Sequence, residues 1–270
     1  MALAEHEQRA DERLLEDLAA QLRRAERDRD PIGPLTEAHP ELTVRDAYRI
    51  QQLNVAARKD AGERVRGRKV GLTSLAMQRQ LGVDEPDFGA ITDRMIVEDG
   101  DAVSVGELLQ PRVEAEVAFV MERELAGPGV TTTDAVRAIA GAVASIEIID
   151  SRIADWRIKL VDTVADNASS ARVVAAGRLT PLAGLDLRLL GMALSVNGAV
   201  AATGAGAAVL GNPVRCVAWL ANTLGELGVP LRAGDLVLAG ALHAALPVAA
   251  GDVVHAEFAE LGSVTARFVD

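Results

Sequence analysis

The chain has 270 residues, 49% apolar and 25% charged, which is enough for one large or two smaller folded domains and excludes extensive disorder. A net charge of −11 with scattered lysine and arginine excludes a nucleic-acid surface, which needs clustered cations against phosphate. The single cysteine, Cys216, precludes an intrachain disulfide, and no apolar run approaches the roughly 20 residues of a membrane span, so a cytoplasmic protein is expected.

Leu14, Leu15, Leu18 and Leu22 recur at helical spacing among charges and predict an amphipathic helix from residue 6 to about 29, ended by DPIGPL at 30–35. TVRD at 43–46 resembles a capping box, a Thr N-cap followed three residues later by an acid. Ala47, Ile50 and Leu53 carry that second helix to about Gly62. Both helices are assigned to a helical N-terminal subdomain, residues 1–65. After GRKVGLT the texture changes to short apolar runs separated by Gly, Pro and Asp. Strands are expected at 91–97, 112–121, 143–149, 172–176, 192–197, 235–239, 252–258 and 263–268, and helices at 132–141 and 212–228. Many short strands with few helices predict an α+β fold with a rolled, mixed sheet over residues 66–270.

The strand QPRVEAEVAFVM carries the first chemical signal. Side chains alternate across a strand, so Glu114 and Glu116 share one face, roughly 7 Å apart, while Val113, Ala115, Val117 and Phe119 share the other. Like charges that close repel unless a proton, a cation or bulk water intervenes. A single solvated face would answer that, but Glu147 lies in a second run, AVASIEIIDSRI, too apolar to be a solvated surface. Three carboxylates from two apolar segments suit a hard divalent cation, which takes oxygen ligands.

Lys69 in GRKVGLTS and Asp87 in DEPDFGAI are candidates for binding a carboxylate or moving a proton, set against the commoner surface lysine and turn aspartate. LVDTVADNASSARVV is dense in small polar groups; it reads as a loop that either presents hydroxyls and N–H groups to an anion or simply crosses the surface. No G-x-S-x-G, phosphate-loop or dinucleotide fingerprint is present.

Six segments in order, GRKVGLTS, GVDEPDFGAI, QPRVEAEVAFV, IEIIDSRIADW, VDTVADNAS and LGSVTARF, resemble the 2-keto-4-pentenoate hydratase and 4-oxalocrotonate decarboxylase family of the fumarylacetoacetate hydrolase superfamily. The resemblance implies a metal-binding β-roll catalytic domain at 66–270. It further implies Mg²⁺ or Mn²⁺ held by Glu114, Glu116 and Glu147, with Lys69 and Asp87 handling protons and water and Ser169 lining the pocket. His243 stands where the family has Gly or Thr, and on that ground it is expected to bear on substrate choice. The implied substrate is a small 2-oxo or 2-hydroxy acid in meta-cleavage catabolism of aromatic compounds, and a homo-oligomer is expected, with association with a pathway partner enzyme as an option. The Asp155-Trp156 pair leans toward the hydratase, TGAGAAVLGNP and the AAL after His243 toward the decarboxylase. A non-catalytic scaffold has no physical need for the carboxylate trio, Lys69 and Asp87.

Overall fold

A computed structural model describes residues 10–74, 78–79 and 82–270. The leucine pattern of the N-terminus forms helix α1 (Glu12–Asp28), which buries Leu15, Leu18, Ala19 and Leu22. After the short α2 (Leu35–Ala38), helix α3 (Val44–Asp60) opens on the expected capping box: the Thr43 hydroxyl accepts the Asp46 N–H, and Asp46 accepts the Thr43 N–H at 3.0 Å. Later in the chain come α4 (Thr132–Ala138), α5 (Leu160–Ala165) and α6 (Val214–Glu226). Ile153, Val164 and Ala165 complete the apolar core of α1 and α3, so the helical layer closes over a later part of the chain. Asp162 on α5 ties the same layer, accepting the Thr36 N–H at 3.0 Å and its hydroxyl at 2.8 Å. No helix among the described residues is long and apolar enough to cross a membrane.

Thirteen strands are described: β1 (Val65–Gly71), β2 (Asp87–Thr92), β3 (Ile96–Glu98), β4 (Ala102–Ser104), β5 (Arg112–Met121), β6 (Ile139–Ile149), β7 (Ser170–Ala175), β8 (Gly191–Val196), β9 (Ala199–Ala205), β10 (Leu236–Ala241), β11 (Leu246–Pro247), β12 (Val253–Phe258) and β13 (Gly262–Val269). They form two mixed sheets. One has the order β2-β1-β10-β5-β6-β7-β3, with β11 also on β5, and the other the order β4-β13-β12-β8-β9. The alternation of β5 and β6 decides how they stack. Val113, Val117, Phe119, Ile146 and Ile148 pack against Leu194, Val254, Ala256, Val264 and Phe268 of the second sheet. The opposite face of β5 and β6 therefore turns away from that core. It carries Ala118 and Val143 in a smaller cluster with Ile91 and Leu238, and the carboxylates at its other end. The fold is α+β with mixed sheets, as expected.

Local differences have local causes. The expected strand at 91–97 is two strands split by a 3₁₀ turn at Asp93–Met95. The helix expected to reach 141 ends at Ala138, because the β-branched Ile139 is extended and begins β6. GRKVGLT, read as the prelude to the sheet, contributes strand β1 itself. The edge strand β9 was not expected, since its Ala, Gly and Thr residues show no alternation. The segment at 160–174, read as a loop, is helix α5, a 3₁₀ turn and β7, with Asp162, Thr163, Asp166, Ser169 and Ser170 buried.

Candidate active site

Alternation along β5 sets Arg112, Glu114 and Glu116 on one face. β6 runs antiparallel beside it in a register that places Glu147 directly opposite Glu114 and Ser145 opposite Glu116. Directly opposed residues share a face, so the three glutamates meet. One carboxylate oxygen from each lies within 4.8 Å of the others. Glu116 and Glu147 are buried, and Glu114 is half-buried.

The cluster is held from the neighbouring strands. Gly240, at the end of β10, donates its N–H to Glu116 Oε2 at 2.7 Å. Its φ is +108°, and a Cβ there would lie 2.1 Å from Thr73 Oγ1, so only glycine brings that N–H to the carboxylate. β10 pairs in parallel with β1, which carries Lys69. Lys69 is buried, with Nζ 3.3 Å from Glu147 Oε2. The antiparallel β1–β2 pair sets Asp87 opposite Gly71, where a Cβ would stand 2.2 Å from Asp87 Oδ1. Asp87 Oδ1 and both oxygens of Glu147 are buried with no hydrogen-bond partner.

The electrostatics follow from crowding in a low-dielectric site. Burial, then Glu147 and Glu114, push the Glu116 carboxyl well above the usual range. Burial lifts Glu114 to about 7, against the opposing pull of Lys69. Asp87 is raised by burial, again opposed by Lys69. For Lys69 burial disfavours the charge, but Glu147, Asp87, Glu114 and Glu116 outweigh it and hold the ammonium protonated. The site is a nest of acids with too little positive charge.

These groups adjoin a cavity of about 650 Å³ whose wall includes Lys69, Asp87, Glu114, Glu116, Ser169 and His243; Glu147 is fully buried beside it. Ser169 arrives on a turn in which Asn167, Ala168 and Ser169 all have positive φ. The Asn167 side chain clamps that turn to β2, accepting the Ala90 N–H at 2.7 Å and donating to its carbonyl at 2.9 Å. His243 uses both ring nitrogens within the protein, Nε2 on the Ala115 N–H and Nδ1 on the Ala244 carbonyl. Burial holds its pKa below the ordinary value.

Reading the sequence passed over Arg112 and gave Trp156 no role in the pocket. The Arg112 guanidinium lies 4.6 Å over the Trp156 ring, both face the cavity, and Trp156 Nε1 is anchored on the Gln110 carbonyl at 3.1 Å. Among the described residues no carboxylate pairs with Arg112. The signal was available: Arg112 shares the parity of Glu114 and Glu116.

Residues 57–269 match the fumarylacetoacetate (FAA) hydrolase C-terminal family, and the chain belongs to it. It is 48% identical over 253 residues, 94% of either chain, to the 2-keto-4-pentenoate hydratase of Paraburkholderia xenovorans (strain LB400). It is 44% identical to the 2-hydroxyhexa-2,4-dienoate hydratase of Comamonas testosteroni, covering 97% of this chain and all (100%) of that one. The solved 4-oxalocrotonate decarboxylase from Pseudomonas putida G7, complexed with magnesium and adipate, superposes with a TM-score of 0.93 at 40% identity over 97% of this chain and 100% of that one.

Proposed function

We propose that this chain is a divalent-metal-dependent hydro-lyase that adds water to 2-hydroxypenta-2,4-dienoate, or a close homologue, to give a 4-hydroxy-2-oxo acid in meta-cleavage catabolism. The observation that carries it is the joining of the Glu114–Glu116–Glu147 trio with Lys69 and Asp87 at one cavity, in a chain so similar to a hydratase along its length.

The trio fits a divalent cation. Both oxygens of Glu147 are buried without a hydrogen-bond partner, with Lys69 Nζ 3.3 Å from Oε2, and an all-carboxylate donor set suits a hard ion such as Mg²⁺ or Mn²⁺. When bound, such an ion relieves the repulsion among the carboxylates and stabilises negative charge developing on the substrate's C2 oxygen. The chain's own groups do the rest. Ketonisation of the dienol moves a proton from the C2 hydroxyl to C5; the enone so formed takes hydroxide at C4 and a proton at C3. Asp87, whose raised pKa lets it hold a proton, and Lys69, fixed as a cation, are the groups placed to move protons and orient that water. Arg112, held over the Trp156 ring, offers the substrate carboxylate N–H donors that no carboxylate takes among the described residues, and Ser169 offers a hydroxyl.

The alternative is decarboxylation of 2-oxo-3-hexenedioate, in which the same electron sink takes the pair released as CO₂ leaves C5. It draws support from the structural likeness to the decarboxylase. With Lys69 beside Glu147 and Arg112 given to the first substrate carboxylate, a second one needs a further cation, and His243, with Nε2 accepting a backbone hydrogen bond, offers none. That observation favours the hydratase. Incubation with each dienoate, following ultraviolet loss of the dienol and release of CO₂, decides between them: dienol loss without CO₂ is expected, and turnover of neither would leave a scaffold subunit. A cytoplasmic homo-oligomer, free or with a pathway partner enzyme, is the matching expectation for assembly, checked by sedimentation.

A further inference from the structure

β10 and β5 part beside the carboxylate cluster. Their ladder pairs Leu238 with Ala118 and, after a shift of register, Ala241 with Glu116; pairing resumes only where Leu246 in β11 meets Val113. Residues 243–245 in between leave the sheet and face the cavity. A strand that loses its partner leaves backbone groups to be satisfied some other way, because a buried unpaired N–H is costly. Ala115 sits at that point, between Glu114 and Glu116, with 0% exposure. Its carbonyl accepts the Leu242 N–H at 3.1 Å. Its N–H donates to His243 Nε2 at 2.9 Å, and His243 Nδ1 lies 2.7 Å from the Ala244 carbonyl. An accepting Nε2 carries no hydrogen, so Nδ1 does and donates to Ala244: the ring is a single neutral tautomer.

We infer that His243 is a positioning residue whose imidazole replaces the missing ladder bond and fixes the peptide between Glu114 and Glu116. The two carboxylates are carried by the residues flanking Ala115, so their separation depends on how its main chain is held. Groups hydrogen-bonded to a metal ligand commonly alter affinity by about 10- to 100-fold, and His243, which bonds the main chain between two ligand-bearing residues and no ligand atom, is expected at the lower end of that range. This role rests on the proposed reading of the trio as a metal site, whereas its effect on the Ala115 amide does not.

The variants separate ring volume from the acceptor. His243→Phe keeps an aromatic ring and removes the acceptor; His243→Gln brings its side-chain carbonyl oxygen to about the place of Nε2. Amide hydrogen exchange along β5 and Mn²⁺ binding to metal-free protein, followed by electron paramagnetic resonance, are the readouts. Exchange at Ala115 is expected to rise at least about 10-fold in His243→Phe relative to the other β5 amides, with Mn²⁺ affinity down about 10-fold. His243→Gln is expected to restore both to within about threefold of the parent, a rescue that a space-filling role would not give. If His243→Phe does not fold, His243→Ala gives the same readouts without overpacking. Unchanged Ala115 exchange and Mn²⁺ affinity in His243→Phe, or a Gln variant as impaired as Phe, would overturn the inference. A parent protein that binds no Mn²⁺ sinks the metal-site reading instead, and Ala115 exchange still decides the role of His243.

Discussion

The buried acids of this protein fall into two groups that the fold treats in opposite ways. Asp150, Asp162 and Asp166, around the helical layer and its connections, are supplied with donors. Asp162 takes the Thr36 and Lys159 N–H groups and the Thr36 hydroxyl; Asp150 takes the N–H groups of Leu109 and Gln110; Asp166 takes the Arg152 N–H and its guanidinium, the latter at 2.5 Å. Beside the cavity, Glu147 has neither oxygen hydrogen-bonded, Asp87 leaves Oδ1 without a partner, and Glu116 holds one backbone N–H. Burying a carboxylate without hydrogen bonds costs several kcal/mol, roughly; the donors around the first group offset part of that cost, although burial still raises Asp150 and Asp166, while the second group has only Lys69 and one backbone N–H against it. A sequence scan sees only buried acids in both. What differs is whether the fold itself completes their bonding.

Four substitutions test the contrast. Glu116→Gln should have the largest effect, abolition of metal-dependent turnover, since it removes a proposed ligand itself, whereas loss of a ligand's hydrogen-bond partner costs about 10- to 100-fold. The same variant should melt no lower than the parent in EDTA, because a neutral amide replaces a carboxyl whose charged form burial, Glu147 and Glu114 already disfavour. A lower melting temperature would place Glu116 with the structural acids. Lys69→Met comes next: with Mg²⁺ present kcat should fall about 10²- to 10⁴-fold, the range for a lost proton-transfer group, with a much smaller change in thermal stability. An unchanged kcat/KM would make Lys69 a counter-charge alone.

Asp166→Ala should invert that pattern. It strands the buried Arg152 and is expected to destabilise the fold by about 3–5 kcal/mol in urea unfolding, an effect that added metal does not specifically reverse. The smallest effect concerns pH. Burial holds Glu114 at about 7 against an ordinary 4.5, so the native metal-free protein favours the neutral carboxyl. Stability from that preference is full below about 4.5 and is lost as pH rises through about 7. Metal-free parent should therefore lose melting temperature between pH 5 and pH 8 by more than Glu114→Gln does. Equal slopes would mean that Glu114 ionises freely in the apo site.

Much of this was legible in the residues because it is local. Period-two alternation puts Arg112, Glu114 and Glu116 on one face whatever the strand pairs with, the capping box at Thr43 lies within four residues, and the leucine stripe of α1 needs only a helix. The family motifs drew Lys69, Asp87 and Ser169 toward the same chemistry without showing where they stand. Tertiary structure decided the rest, because it turns on register and on contacts distant along the chain. A one-residue slip between β5 and β6 would turn Glu147 away from Glu114, and no local pattern states that register. The burial of α5, six residues long and too short to show helical periodicity, depends on the N-terminal helices packed over it. The histidine in GALHAAL became a ladder partner for Ala115 because β10 leaves the sheet there, an event set by the pairing of three strands.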